Sequence, residues 1–315
     1  MMRGHMAAQS QSTMRALAAA ALCAGATLGA FAQTPPPLRV IPVQGNVSML
    51  AGAAANVTVQ TGKDGVLLVD TLTAALVPAV SAMVTTLSPL PIRYIINTAT
   101  DDDHVSGNAG LQAIGATGAS PMPGGGATVI AHENVVNRMA RPTPGRQPGL
   151  PNDEYFTETK DFYFNGEPVF VIHVANAHTD GDSLVLFRRS DVVSTGDVFA
   201  PDRYPAIDVA RGGSVDGLIA ALNRVLFLAV PERLQDGGTR IVPGHGRVCN
   251  EADVVEYRDM LTIVRDRVQD MVTRGMTLDQ VTRARPAADY EGRYGGSDNF
   301  VTAIFNSLTT KRSGS

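Results

Sequence analysis

Four short segments of this chain place histidines and aspartates just after apolar, strand-like runs. Asp101, Asp102, Asp103 and His104 follow residues 92–96, and His178, Thr179, Asp180, Gly181 and Asp182 follow residues 169–174. Asp197 follows residues 192–195, and His245, set between Gly244 and Gly246, follows residues 239–242. Loops just past strand ends join a rigid scaffold to a backbone free to turn, which is where layered α/β proteins collect their sites. A mixed imidazole and carboxylate set suits zinc, iron or manganese. Cys249 is the one thiol outside the N-terminal segment, which argues against a structural zinc cluster. Any one of His104, His178 and His245 alone reads as a hydrogen-bonded structural histidine; their joint placement reads as a ligand set. His132, which opens a helix, and His173, on a strand, read as structural. Asp182 has two readings: it holds a ligand imidazole by its far nitrogen, or it caps the turn at Gly181.

The elements that must position these residues follow from periodicity. Short β-like runs at 40–43, 47–50, 56–60 and 65–70 are broken by turns, including Gly62-Lys63-Asp64-Gly65. Residues 74–87 carry apolar side chains at helical spacing and stop at Ser88-Pro89, and 92–96 is a compact apolar strand. A strand at 128–131 leads into a helix at 132–139, then a Pro/Gly-rich loop at 141–152 that could rim a site. Strands at 162–164, 169–174, 183–187 and 192–195 precede a helix at 215–228 with Ser214 as N-cap, a strand at 239–242 and a long helix at 252–273. Between Asp197 and that first helix, Tyr204 to Asp208 and Gly212-Gly213-Ser214 form a loop in which Asp208 is a rim residue. Two sheet-rich halves, each followed by helices and with no linker between them, predict an α/β protein of two packed sheets with helices outside.

The first 32 residues stand apart. Arg15, an apolar run at 16–30 and Ala30-Phe31-Ala32 read as a secretory signal cleaved after Ala32, which predicts a secreted or periplasmic protein. The run is shorter than the ~20 residues of a membrane span, so no membrane association is expected after cleavage. Residues 33–37 are a short Pro-rich linker, and 38–315 form one domain. At 44% hydrophobic and 18% charged, the chain has the composition of a protein with a buried core. Its formal charge of −4 becomes −6 when Arg3 and Arg15 leave with the signal, which excludes a nucleic-acid footprint and points to a small-molecule substrate.

In order and spacing, these motifs resemble the metallo-β-lactamase superfamily, over residues 40–249. The family's first motif, His-x-His-x-Asp-His, aligns with Ala99-Thr100-Asp101-Asp102-Asp103-His104; its next histidine with His178; its bridging aspartate with Asp197; and its last histidine with His245. The resemblance implies an αββα four-layer sandwich. It implies one or two divalent ions, zinc first with manganese or iron as alternatives, held by Asp101, Asp103, His104, His178, Asp197 and His245. It also implies that a metal-bound hydroxide, oriented by Asp103 as the catalytic residue, hydrolyses an ester, lactone, thioester or β-lactam-type amide. One metal position is intact at Asp103, His104, Asp197 and His245. The other has Ala99 and Asp101 where the family has histidines. Asp101 either ligates, which would harden that position toward manganese, magnesium or iron, or is one of three acids in a solvated turn. If it ligates, the third carboxylate lowers the charge of the metal pair, so activity should rise toward alkaline pH or be modest. Two other readings follow from the altered motif: a fold that kept a metal or a partner but lost turnover, and a mononuclear iron sulfur dioxygenase.

Overall fold

The computed structural model describes residues 37–52, 55–116, 126–141 and 149–310, all within the unit Pro35–Ser315. The expected signal segment 1–32, and residues 142–148 of the expected rim loop, lie outside the described residues.

Strand β4 (Gly65–Val69) shows how the layers are built. Its sequence is apolar throughout, as a strand covered on both faces must be. Leu67 and Val69 point one way, toward Val171, Val185 and Phe187 of a second sheet. Val66 and Leu68 point the other way, onto Val80, Val84 and Leu111 of two helices. The period of two along the strand therefore specifies two separate cores.

The first sheet has seven strands in the order β1 (Arg39–Gln44), β2 (Val47–Ala51), β3 (Val57–Gly62), β4, β5 (Ile92–Ile96), β6 (Thr128–His132) and β7 (Asp153–Tyr155). β1 to β4 form an antiparallel meander, and β4 to β7 run parallel. The parallel crossovers carry helices α1 (Val77–Leu87), α2 (Asp102–Val105), α3 (Asn108–Ile114) and α4 (Glu133–Met139).

The second sheet has β8 (Thr159–Phe164), β9 (Glu167–His173), β10 (Ser183–Phe187), β11 (Val192–Ser194) and β12 (Arg240–Val242), with β12 at one edge, parallel to β11. Its outer face, with Leu184, Leu186 and Ile241, packs on α5 (Val215–Leu228), α6 (Glu251–Thr273) and α9 (Asp298–Thr310) through Leu222, Val264 and Ile304. Helices, sheet, sheet and helices make the four layers expected from the resemblance.

Several elements depart from the sequence reading. Residues 102–105, read as part of a loop, are helical, and so are 108–114, to which the sequence reading gave no element. Beyond α6 lie α7 (Leu278–Ala284), α8 (Glu291–Tyr294) and α9, which periodicity did not single out. Ser214 does cap α5, its hydroxyl accepting from the Gly217 amide at 3.0 Å. Among the described residues no helix is long and apolar enough to cross a membrane.

Candidate metal centre

The last residue of each of four strands is followed at once by a turn, and these turns meet. Asp70, just past β4, adopts φ +65°, a left-handed conformation that aspartate tolerates better than most residues. Its Oδ1 accepts from the Thr98 amide at 2.8 Å, and its Oδ2 accepts from the Thr98 hydroxyl at 2.7 Å and lies 2.7 Å from His104 Nδ1. His104 is fully buried in α2. With Nδ1 committed to Asp70, its Nε2 faces Asp197 Oδ1, 3.2 Å distant.

Asp197 stands in a one-turn 3-10 helix at Gly196–Val198. Gly196 is there for a steric reason: φ is +49° and an added Cβ would sit 2.3 Å from the Thr98 hydroxyl. The Gly244 amide donates to Gly196 O at 2.8 Å, which brings the turn after β12 alongside. Asn56 braces that second turn, donating from Nδ2 to Pro243 O and Gly246 O. His245 then presents Nε2 at 3.1 Å from Asp197 Oδ1 and 3.6 Å from Asp103 Oδ2.

Asp103, His104 and His245 thus offer ligand atoms within 4.8 Å of one another, with Asp197 beside them. His104 Nε2 is buried, and its approach to Asp197 Oδ1 at 3.2 Å is an ion-pair contact without good hydrogen-bond geometry. Buried polar atoms are normally paired, and an imidazole nitrogen whose other nitrogen is held by a carboxylate is the usual arrangement of a metal ligand. The donor set fits a divalent ion such as zinc. Its electrostatics point the same way. Burial disfavours a charged His104, yet the charges of Asp197 and Asp70 outweigh burial and raise its pKa well above the usual histidine value. Burial likewise opposes the Asp197 carboxylate, but His104, His245 and His178 hold its pKa well below the usual range. The pocket is built around negative charge that calls for a cation.

The other position is arranged differently. Asp101, His178 and Asp197 also lie within 4.8 Å of one another. His178 Nδ1 donates to Ala206 O at 3.1 Å, and Nε2 lies 3.1 Å from Asp101 Oδ2 and 3.7 Å from Asp197 Oδ2. Arg211, which sequence reasoning passed over, grips Asp101 with Nη2 to Oδ1 at 2.7 Å and Nη1 to Oδ2 at 3.1 Å. Burial opposes the Asp101 charge, but His178 and Arg211 hold its carboxyl well below the usual range. For His178 burial is again outweighed, by the Asp101 hydrogen bond and the charges of Asp182, Asp197 and Asp101, and its pKa is pushed up to about 9. The Arg211 charge offsets that of Asp101, so the deficit counted from a third carboxylate, and the alkaline activity expected from it, no longer follow.

The remaining candidates fall into place around this centre. Asp182 caps its own turn, accepting from the Thr179 amide at 2.6 Å and hydroxyl at 2.9 Å. Of its two readings the turn cap holds, because His178 Nδ1 is taken by Ala206 O. Burial pushes Asp182 up to about 6. Asp208 is a rim residue that bonds Arg211 Nε at 2.6 Å. His132 and His173 stack on each other, ring centroids 3.7 Å apart, and are not among the ligand groups. Two supporting residues were missed. Asp70 met the criterion applied to the others, an acid at a strand end, whereas Arg211 carried no local signal: it reaches Asp101 across 110 residues.

This chain belongs to the metallo-beta-lactamase superfamily, whose family model matches residues 51–245. No curated protein sequence matches it. Among solved structures it is similar to the stereoselective inverting sec-alkylsulfatase Pisa1 from Pseudomonas sp., at 17% identity and a TM-score of 0.66. That match covers 85% of this chain and 50% of the sulfatase, so the chain spans half the length of that relative. It is also similar to a metallo-beta-lactamase from Pontibacter korlensis (16% identity, TM-score 0.56, 71% of this chain and 99% of that one). The DIM-1 metallo-beta-lactamase matches at 14% identity and TM-score 0.56, over 73% of this chain and 99% of its own. At these identities the likeness is one of fold.

Proposed function

We propose that this protein is an exported metal-dependent hydrolase that cleaves an uncharged ester or lactone, with Asp103, His104, Asp197 and His245 as its metal ligands. The observation that carries the reading is the chain Thr98, Asp70, His104: two donors fix a carboxylate, the carboxylate fixes an imidazole, and a buried Nε2 is left facing two further ligands. A divalent ion there would acidify a coordinated water and polarise an electrophilic carbonyl.

The chain's own residues supply the rest. Asp103 keeps 28% of its side chain exposed, so its carboxylate can accept a hydrogen bond from the attacking water and orient it. Asp70 keeps His104 in one tautomer throughout. A cleft of about 690 Å³, whose walls include Tyr204, Ile207, Val209 and Phe300, opens beside the centre at Asp101 and His178 and is the space this reading assigns to substrate. The cationic side chains lining this cleft are already paired, Arg211 with Asp101 and Asp208, which also line it, and His178 with Asp101. Such a wall offers no unpaired cation to a substrate carboxylate or sulfate, which favours uncharged acyl substrates over carboxylate-bearing β-lactams. Export rests on the apolar run and Ala30-Phe31-Ala32, and a mature mass beginning at Gln33 is expected from secreted material.

Turnover tests the reading. Chelated and zinc-reloaded protein should be compared on a neutral ester, a lactone, a thioester, a β-lactam and a secondary alkyl sulfate. Metal-restored cleavage of the neutral ester or lactone is expected. Tight metal with no turnover of any of them would leave the alternative of a metal- or partner-binding protein, and one iron with oxygen uptake would leave the dioxygenase.

A further inference from the structure

We infer that Arg211 takes the place of the first metal ion, so that the chain binds a single divalent ion at Asp103, His104, Asp197 and His245. The inference rests on the metal-dependent reading above and assigns its stoichiometry.

Three observations converge on this. First, the altered position is short of ligands: Ala99 offers none and is buried, which leaves Asp101, His178 and a share of Asp197. Second, both oxygens of Asp101 already accept from the guanidinium fork, the bidentate geometry that makes arginine–carboxylate pairs specific. An ion binding Asp101 would have to displace that fork or sit beside its positive charge.

Third, Arg211 is not free to swing away. Nε bonds Asp208 Oδ2 at 2.6 Å, Nη1 bonds the Thr100 hydroxyl at 3.0 Å, and its own amide donates to Asp208 Oδ1 at 2.9 Å. Its carbonyl accepts from the Asp180 amide at 3.0 Å. Gly212, at φ +84°, turns the backbone directly behind it. Side chain and backbone are therefore pinned in the one arrangement that reaches Asp101. The ion pairs of Asp103 and Asp197 among the described residues, by contrast, are all with histidines, which a metal can replace proton for ion. Two neighbouring positions that share Asp197 thus hold different cations: a guanidinium fixed by the fold at one, an exchangeable ion at the other.

The test is a metal count on the full chain, stripped with chelator and titrated with Zn²⁺ by calorimetry, with bound zinc measured by mass spectrometry after desalting. The expected result is one equivalent, retained in Asp101→Asn, with His245→Ala weakening that ion at least 10- to 100-fold. Arg211→Gln frees Asp101 and should add a second, weaker equivalent, which Asp101→Asn in the same background should remove again. Two equivalents in the unmutated chain, falling to one in Asp101→Asn, would overturn the inference while leaving the hydrolase reading in place. A count unchanged in folded Arg211→Gln would overturn the role given to Arg211. No bound ion at all would overturn both readings.

Discussion

Replacing Asp70 by asparagine isolates the support of the metal centre from the centre itself. Asparagine has nearly the same shape and shares the tolerance for the left-handed φ of +65°, so the backbone after β4 is left undisturbed. What changes is the hydrogen bonding. Asp70 presents two acceptor oxygens to three donors, the Thr98 amide, the Thr98 hydroxyl and His104 Nδ1–H, whereas asparagine presents one oxygen and an NH₂ group. Either His104 or the Thr98 amide must then face a donor. A buried donor left without an acceptor costs about 1–3 kcal/mol. Loss of a partner behind a metal-ligating histidine typically weakens the metal 10- to 100-fold, about 1.4–2.7 kcal/mol. Competition against a chelator of known affinity measures the second quantity, and urea unfolding of stripped protein measures the first. A zinc affinity within threefold of the unmutated chain, in a variant that remains folded, would refute the claim that Asp70 sets the His104 donor.

Other expectations test separate links. Gly196→Ala combines a strained φ of +49° with a Cβ 2.3 Å from the Thr98 hydroxyl; it should cost about 2–4 kcal/mol in unfolding free energy and weaken metal binding by displacing Asp197, both readable from one denaturation and titration series. The stacked His132 and His173 set an acid limit on stability. Burial, then the charge of its neighbour, pushes His132 down to about 4, and burial lowers His173 as well. A group whose pKa is depressed on folding stabilises above its unfolded value of about 6.5, and that contribution is lost as pH falls toward about 4. The contribution of the pair to the unfolding free energy, measured by urea titrations from pH 7 to 4, should fall by an amount on the order of 2–3 kcal/mol, and His132→Asn should flatten the slope; an equal slope in the variant would contradict the assignment.

Much of the scaffold was legible because its signals are local. Residues 92–96, 183–187 and 215–228 were read with the bounds they have, since a fully apolar strand between turns and a capped amphipathic helix each announce themselves within a dozen residues. The C-terminal helices were not read, although Thr277 and Gln280 form a capping box at the start of α7. Helix α2 is one turn long and carries too few residues to show a period; Asp101 stands at its N-cap position with Asp102 and Asp103 in the first turn, where the helix dipole favours them. The four residues proposed as ligands of the intact position could be picked out because each follows a strand end within a few residues. The character of the altered position was not, because it depends on Arg211 reaching Asp101 from a distant loop, a contact that no local pattern encodes.

Anomalous diffraction from zinc-soaked crystals tests the central claim most directly. The account predicts one strong peak, about 2.0–2.2 Å from His104 Nε2, His245 Nε2 and carboxylate oxygens of Asp103 and Asp197, with Arg211 still bonded to Asp101. A peak held by Asp101 and His178 instead, or none at His104, would contradict it.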